Sequence, residues 1–157
     1  MKKLLLIIGF TCSALLCLGQ KHLLSYDDVK FLLINNLQKT DTFMMAKGYK
    51  ITSKSTSAKN RSYQSLNGSS HVDVDVRIDG KKLFVEIQTN ELEQYDLIHT
   101  SIAQYITKDS MAADVQIYAV KDLGSIYITV NDTTPYDPLK REYDMHIVPD
   151  KQITAYN

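Results

Sequence analysis

The segment 71–89 constrains the fold of this chain most, because apolar and polar residues alternate strictly on both sides of Asp79-Gly80. A period of two is typical of a β-strand with one buried face, and Asp-Gly favours a two-residue hairpin turn. With Asp79-Gly80 as that turn, Asp73 lies directly opposite Glu86. The sequence therefore predicts an antiparallel hairpin with one apolar face and one largely polar face.

The N-terminus has the pattern of a secretory signal peptide. Met1-Lys2-Lys3 is a basic start, the apolar run 4–18 follows, and small residues precede Gln20. The run is shorter than the roughly 20 apolar residues of a membrane-spanning helix. We expect residues 1–19 to be removed and the mature protein to begin at Gln20, in the periplasm or outside a bacterial cell. Lipidation at Cys17 is the alternative, although Leu16 is a poor residue directly before a lipidated cysteine.

Removal of this leader changes the chemistry that the chain can support. It takes away Lys2 and Lys3, which leaves 16 basic and 18 acidic residues and a net charge of −2. This balance does not favour nucleic acid as a partner. Removal of the leader also takes away Cys12 and Cys17, so the mature chain is expected to have no disulfide and no thiol nucleophile. The full sequence has 44% hydrophobic and 23% charged residues, which is typical of globular proteins, and positions 20–157 are expected to form a single globular domain.

Periodicity along the chain predicts an α+β fold. A helix is expected from a capping box at Ser25 and Asp28 to a stop at Gly48, with a kink or break at Thr40-Asp41. A second helix is expected from a capping box at Asn90 and Glu93 to about residue 108. Besides the central hairpin, strands are predicted at 49–56, 61–66, 115–120, 125–130 and 143–148. The fold class is thus a mainly antiparallel sheet of about six to seven strands with two helices packed on one face.

The polar face of the central hairpin carries the candidate metal ligands Asp73, Asp75 and Glu86, with His71 nearby. Like charges that oppose each other on a sheet cost stability unless a cation or a proton neutralises them. Such carboxylates suit Mg²⁺, Mn²⁺ or Ca²⁺, which prefer oxygen ligands. The alternative is an ordinary solvated surface of mixed charge, since Arg77 lies on the same face.

The hairpin also resembles part of the PD-(D/E)xK nuclease core. Val72-Asp73-Val74-Asp75 and Phe84-Val85-Glu86-Ile87-Gln88 occupy the places of the two motif strands, and a predicted helix follows. The resemblance implies that Asp73 or Asp75, together with Glu86, would bind Mg²⁺ or Mn²⁺. It also implies a catalytic lysine where this chain has Gln88. That departure removes the cation that would activate water or stabilise charge in such an enzyme.

Tyr136 is a candidate recognition residue, because Pro135 and Pro138 bound its loop. As a whole the chain resembles small exported bacterial α+β proteins that have no assigned activity. No complete catalytic motif or cofactor-binding loop occurs in the sequence. We therefore expect an exported binding or structural module without catalysis or cofactor, whose partner is a protein or another envelope component. The alternative is a degenerate metal-dependent hydrolase that acts through Glu86 and Gln88 with Mg²⁺ or Mn²⁺.

Overall fold

The computed structural model of the protein describes residues 22–54, 59–79, 82–132 and 141–150. The predicted signal peptide, both cysteines, Gly80 and Tyr136 lie outside these residues. The described helices are α1 (Tyr26–Ile34), α2 (Leu37–Ala46) and α3 (Leu92–Ile102), with a 3₁₀ turn at Ala103–Tyr105. The described strands are β1 (Lys50–Lys54), β2 (Asn60–Asn67), β3 (Ser70–Asp79), β4 (Lys82–Thr89), β5 (Ile106–Ala112), β6 (Val115–Val120), β7 (Gly124–Asp132) and β8 (Arg141–Pro149).

All eight strands form one antiparallel sheet in the order β1-β2-β3-β4-β8-β7-β6-β5. The sheet consists of two four-stranded meanders, β1–β4 and β5–β8, and each meander follows a helical segment. Their last strands, β4 and β8, pair with each other at the centre of the sheet. The α+β class and the antiparallel sheet are confirmed. The expected six to seven strands and two helices are wrong for the described residues, which form eight strands and three α-helices.

The additional helix arises because the first helical segment breaks earlier than expected. The capping box is confirmed: the Ser25 backbone N–H donates to Asp28 Oδ2 at 2.8 Å, and the Asp28 N–H donates to Ser25 Oγ at 3.4 Å. The break lies at Asn35 and Asn36, whereas Thr40 is buried inside α2. Asn36 accepts a hydrogen bond from the Lys39 N–H and so caps α2. Asparagine side chains compete for backbone hydrogen bonds, which explains a break at this pair.

The additional strand arises because α3 ends earlier than expected. The capping box at Asn90 and Glu93 is wrong: the Asn90 side chain instead accepts from the His71 N–H at 2.8 Å and donates to the Ser69 carbonyl at 3.0 Å. Six of the seven residues of β5 are exposed, and they show no apolar alternation. Pairing with β6 across the two-residue turn Ala113-Asp114 holds them in a strand, and an edge strand whose residues are exposed gives no apolar alternation from which it could be predicted.

The register of the central hairpin differs from the prediction by two residues. Asp79 pairs with Lys82 and Ile78 with Leu83, so Asp79 belongs to a strand and not to the turn. Asp75, and not Asp73, therefore lies opposite Glu86. A shift of two leaves every side chain on its predicted face. The observed register pairs Ile78 with an apolar residue, whereas the predicted one would place it opposite Lys81.

One face of the sheet packs against the helices. The apolar residues of β3, β4, β7 and β8 that point to this face form one buried cluster with Leu32, Met44 and Ile98 of the three helices. Gly124, at φ +131°, begins β7 where a Cβ atom would collide with the Val148 carbonyl oxygen. Glycine at this position therefore permits the close approach of β7 to β8. The alternate residues of the same strands point to the opposite side, which is called the open face below.

Candidate functional site: the acidic open face

Strand register arranges the open-face side chains of β3, β4 and β8 in rows across the sheet. One row is Asp75, Glu86 and His146, because Glu86 pairs with Asp75 on one side and with His146 on the other. The adjacent row is Asp73, Gln88 and Asp144. A third row contains His71 and Glu142. The five carboxylates of these rows, Asp73, Asp75, Glu86, Glu142 and Asp144, are called the acidic patch.

The structure places the three predicted metal ligands of the hairpin, Asp73, Asp75 and Glu86, on this one face. Asp75 and Glu86 are directly opposed like charges, which cost stability in an antiparallel sheet. Asp73 lies opposite the uncharged Gln88. The Gln88 amide donates a hydrogen bond to Glu86 Oε1 at 2.8 Å. Gln88 therefore fixes one oxygen of Glu86 and leaves the second oxygen, Oε2, directed towards β8.

Glu86, Asp144 and His146 form the closest group of metal-ligating side chains in the described part of the chain. One ligand atom from each lies within 4.8 Å of the other two. Glu86 Oε2 is 3.8 Å from His146 Nδ1, and Asp144 Oδ1 is 3.2 Å from His146 Nε2. The predicted trio Asp73, Asp75 and Glu86 is not such a group. Asp144 and His146 lie on β8, more than 50 residues after Glu86 in the sequence, so no local pattern links them to it.

Asp144 carries an oxygen whose hydrogen-bonding capacity is unused. Its Oδ1 atom is inaccessible to solvent and accepts no hydrogen bond from the described residues, although His146 Nε2 lies close to it. Buried polar oxygens are normally hydrogen-bonded, and an exception calls for an explanation such as a bound ion. The His146 side chain is 48% exposed, so this group opens to solvent on one side.

A second imidazole on the open face also lies between two carboxylates. His71 Nε2 is 3.5 Å from Glu142 Oε2 and 3.8 Å from Asp73 Oδ2. These carboxylates belong to β8 and β3, which lie on opposite sides of β4. His71 is therefore chemically similar to His146, and both of its carboxylates approach the same nitrogen, but its three ligand atoms do not all lie within 4.8 Å of one another as those of Glu86, Asp144 and His146 do. This pair of histidines provides a matched comparison on one surface.

A depression of about 400 Å³ opens on this face beside the acidic patch. Asp75, Glu86 and His146 are among its lining residues, and so are Phe84, Arg61 and Arg77. The Arg77 guanidinium lies over the Phe84 ring at 5.8 Å from its centroid, a distance typical of a cation–π contact. The depression therefore combines carboxylates with an aromatic surface that already holds one cationic side chain.

A separate polar cluster lies at the helix side of the sheet. Glu91 is buried and its Oε2 is 2.9 Å from His22 Nε2, while the Tyr49 hydroxyl donates to the His22 carbonyl at 2.6 Å. Burial, with the carboxylates of Glu91 and Asp28 nearby, raises the pKa of Tyr49 far above its usual value. Gln94 is fully buried and bonds to both the N–H and the carbonyl of Leu24 at 2.8 Å. These contacts fasten the segment before α1 to the start of α3.

Sequence reasoning missed the contribution of β8 to the site. Glu142, Asp144 and His146 alternate with the buried Tyr143, Met145 and Ile147, and this alternation predicts a strand with one polar face. It does not show which strand pairs with that segment. Only the β4–β8 ladder places His146 beside Glu86. The predicted recognition residue Tyr136 lies outside the described residues.

The fold and this site define an α+β protein whose antiparallel sheet is covered by helices on one face and carries an acidic patch on the other. No protein-family model matches the chain, and comparison with curated proteins and with solved structures found no match. Among residues 22–54, 59–79, 82–132 and 141–150, no helix is long and apolar enough to cross a membrane.

Proposed function

We propose that the chain is an exported single-domain binding module that recognises a basic protein surface through its open face, without catalysis. The observation that carries this proposal is the concentration of five carboxylates on a sheet face that all three described helices leave uncovered. The site of export is the periplasm or the medium, as expected from the N-terminal sequence.

Charge and shape favour a basic partner. Asp75 and Glu86 oppose each other at a cost in stability, and a lysine or arginine placed between them would remove that cost. In the depression beside them the Phe84 ring already contacts the Arg77 guanidinium, so this surface accommodates a cationic side chain. The five carboxylates outnumber Arg77 on this face, and a net negative field raises the rate at which a basic partner associates.

The identity of residue 88 favours binding over hydrolysis. The resemblance to PD-(D/E)xK nucleases implies a lysine there, and the chain has an amide that donates to Glu86 Oε1. An amide does not supply the positive charge that would stabilise a developing anion. Metal-dependent hydrolysis is the rival function, and it requires activity that depends on Glu86.

The test is capture of envelope proteins by the immobilised protein, with two double variants compared. Asp75→Asn/Glu86→Gln neutralises the patch, and Glu93→Gln/Asp96→Asn makes the same chemical changes on the exposed surface of α3. We expect the wild type and the α3 variant to retain the same basic protein. Affinity should fall about tenfold or more in the patch variant, equivalent to at least about 1.4 kcal/mol.

Salt dependence provides the second readout of this experiment. Retention through the acidic patch should weaken between about 0.05 and 0.5 M salt, because exposed charges are increasingly screened. Equal retention by the two double variants would show that the open face is not the binding surface.

A further inference from the structure

We propose that Glu86, Asp144 and His146 form a binding site for a divalent transition-metal ion of the zinc type. This inference goes beyond the proposed function, because it concerns a small ion and does not require a partner protein. It also differs from the site expected from the sequence, since Asp73 and Asp75 are not among the ligands.

The geometry of the three side chains already approaches that of a coordination shell. His146 Nε2 and Asp144 Oδ1 are 3.2 Å apart, which is close to the separation of two ligands that each lie about 2.0–2.1 Å from a tetrahedral zinc ion. Glu86 Oε2 approaches the same imidazole from the neighbouring strand at 3.8 Å from Nδ1. One ligand atom from each side chain falls within 4.8 Å of the other two. The two carboxylates lie nearest different nitrogens of His146, so binding of one ion requires rotation of this half-exposed ring until one nitrogen faces the ion together with both carboxylates.

The types of ligand select the class of ion. One imidazole nitrogen with two carboxylate oxygens suits Zn²⁺ and neighbouring first-row ions. Calcium and magnesium are bound mainly by oxygen atoms, and calcium needs six or more of them. Three protein ligands would leave at least one position open on the solvent side, where His146 is half exposed.

Three features of the group and of its surroundings support a cation. Asp144 Oδ1 is inaccessible to solvent and has no hydrogen-bond donor among the described residues, and a metal ion would satisfy it. Gln88 donates to Glu86 Oε1 and thereby orients the carboxylate, as residues that support metal ligands commonly do. Asp75, opposite Glu86, adds further negative charge that a divalent ion would offset.

The test is equilibrium binding of Zn²⁺ alone to the purified, metal-stripped protein. His146→Gln removes a proposed ligand, and His71→Gln is the matched control, because His71 is an imidazole between two carboxylates on the same face. We expect one ion per chain in the wild type and in His71→Gln. Affinity for Zn²⁺ should be at least about tenfold weaker in His146→Gln.

A second ligand variant, Glu86→Gln, and a second ion, Ca²⁺, complete the binding experiment. Glu86→Gln should also weaken Zn²⁺ binding, and it keeps the test decisive where His146→Gln fails to fold. Calcium should bind at least about tenfold more weakly than zinc. The proposal is overturned by the absence of saturable zinc binding, by equal losses in the two histidine variants, or by equal affinities for calcium and zinc.

Discussion

The two faces of the central strands are built from alternate residues of the same segments, yet they obey different constraints. On the covered face Val74, Ile87 and Met145 are inaccessible to solvent, and packing against helices fixes what each can be. On the open face Asp75 lies opposite Glu86, an arrangement that opposes folding. Packing therefore accounts for the residues of the covered face, whereas the charges of the open face are accounted for here only by the proposed binding of a basic partner or a metal ion.

The largest expected effect is on the covered face. Ile87→Ala should lower the free energy of unfolding by about 2–5 kcal/mol, because it removes buried methyl groups and leaves a cavity. The next residue on the strand, the exposed Gln88, should change the free energy of unfolding by less than about 0.5 kcal/mol when replaced by alanine. Urea unfolding of both variants measures the contrast, and similar losses would contradict the assignment of the two faces.

Alkaline pH should lower the free energy of unfolding of the protein through the buried Tyr49. Its pKa is raised by burial in the folded protein, whereas in the unfolded chain it titrates near pH 10. The native state therefore holds this proton more tightly, so the contribution of Tyr49 is complete below about pH 10 and declines above it. The expected decline in the free energy of unfolding is about 1.4 kcal/mol per pH unit. Tyr49→Phe should be less stable at pH 8 but should lose this part of the alkaline slope, and an unchanged slope would refute the prediction.

A smaller effect of opposite sign is expected on the open face. Asp75→Asn should raise the free energy of unfolding by about 0.2–1 kcal/mol in a chelating buffer, because it relieves repulsion with Glu86. Asp96→Asn, on the exposed surface of α3, is the control and should have little effect. The gain should shrink at high salt. A loss of stability in Asp75→Asn would instead mean that this carboxylate makes a favourable ion pair.

The smallest expected effect is on plasmid DNA. The purified protein with Mn²⁺ or Mg²⁺ should cleave plasmid no faster than buffer alone, because residue 88 lacks the positive charge of the nuclease motif. Gel electrophoresis of supercoiled plasmid checks this. Cleavage by the wild type that disappears in Glu86→Gln would establish the rival hydrolase function and contradict the proposed absence of catalysis.

The sequence predicted the faces of the hairpin better than its register. Alternation assigns each residue to a side, but registers that differ by two have the same alternation, and the turn preference of Asp79-Gly80 pointed to the wrong one. Similarly, Asp73, Asp75 and Glu86 were correctly placed on one polar face. The closest group of ligands was not predictable, because Asp144 and His146 reach Glu86 through a ladder between distant segments.

Of the two predicted capping boxes, the one at Ser25 is present and the one at Asn90 is not. The capping box at Ser25 was predictable because both of its partners lie within one turn. The pair Asn90 and Glu93 has the same local pattern, but Asn90 bonds to the backbone of Ser69 and His71 at the start of β3. Tertiary contacts outweighed local propensity at Asn90. The strand β5 was missed for another reason, because its exposed residues give no periodic signal although they form a hairpin with β6.

The central position of β8 has a consequence for how the chain assembles. β8 is the last described strand to be synthesised, yet it occupies the middle of the sheet between β4 and β7. The β4–β8 ladder closes a loop of more than 50 residues, so it bears the largest entropic cost of any pairing in the sheet. A chain interrupted before residue 141 would leave the inner edges of β4 and β7 without their partner strand, and unpaired strand edges favour aggregation.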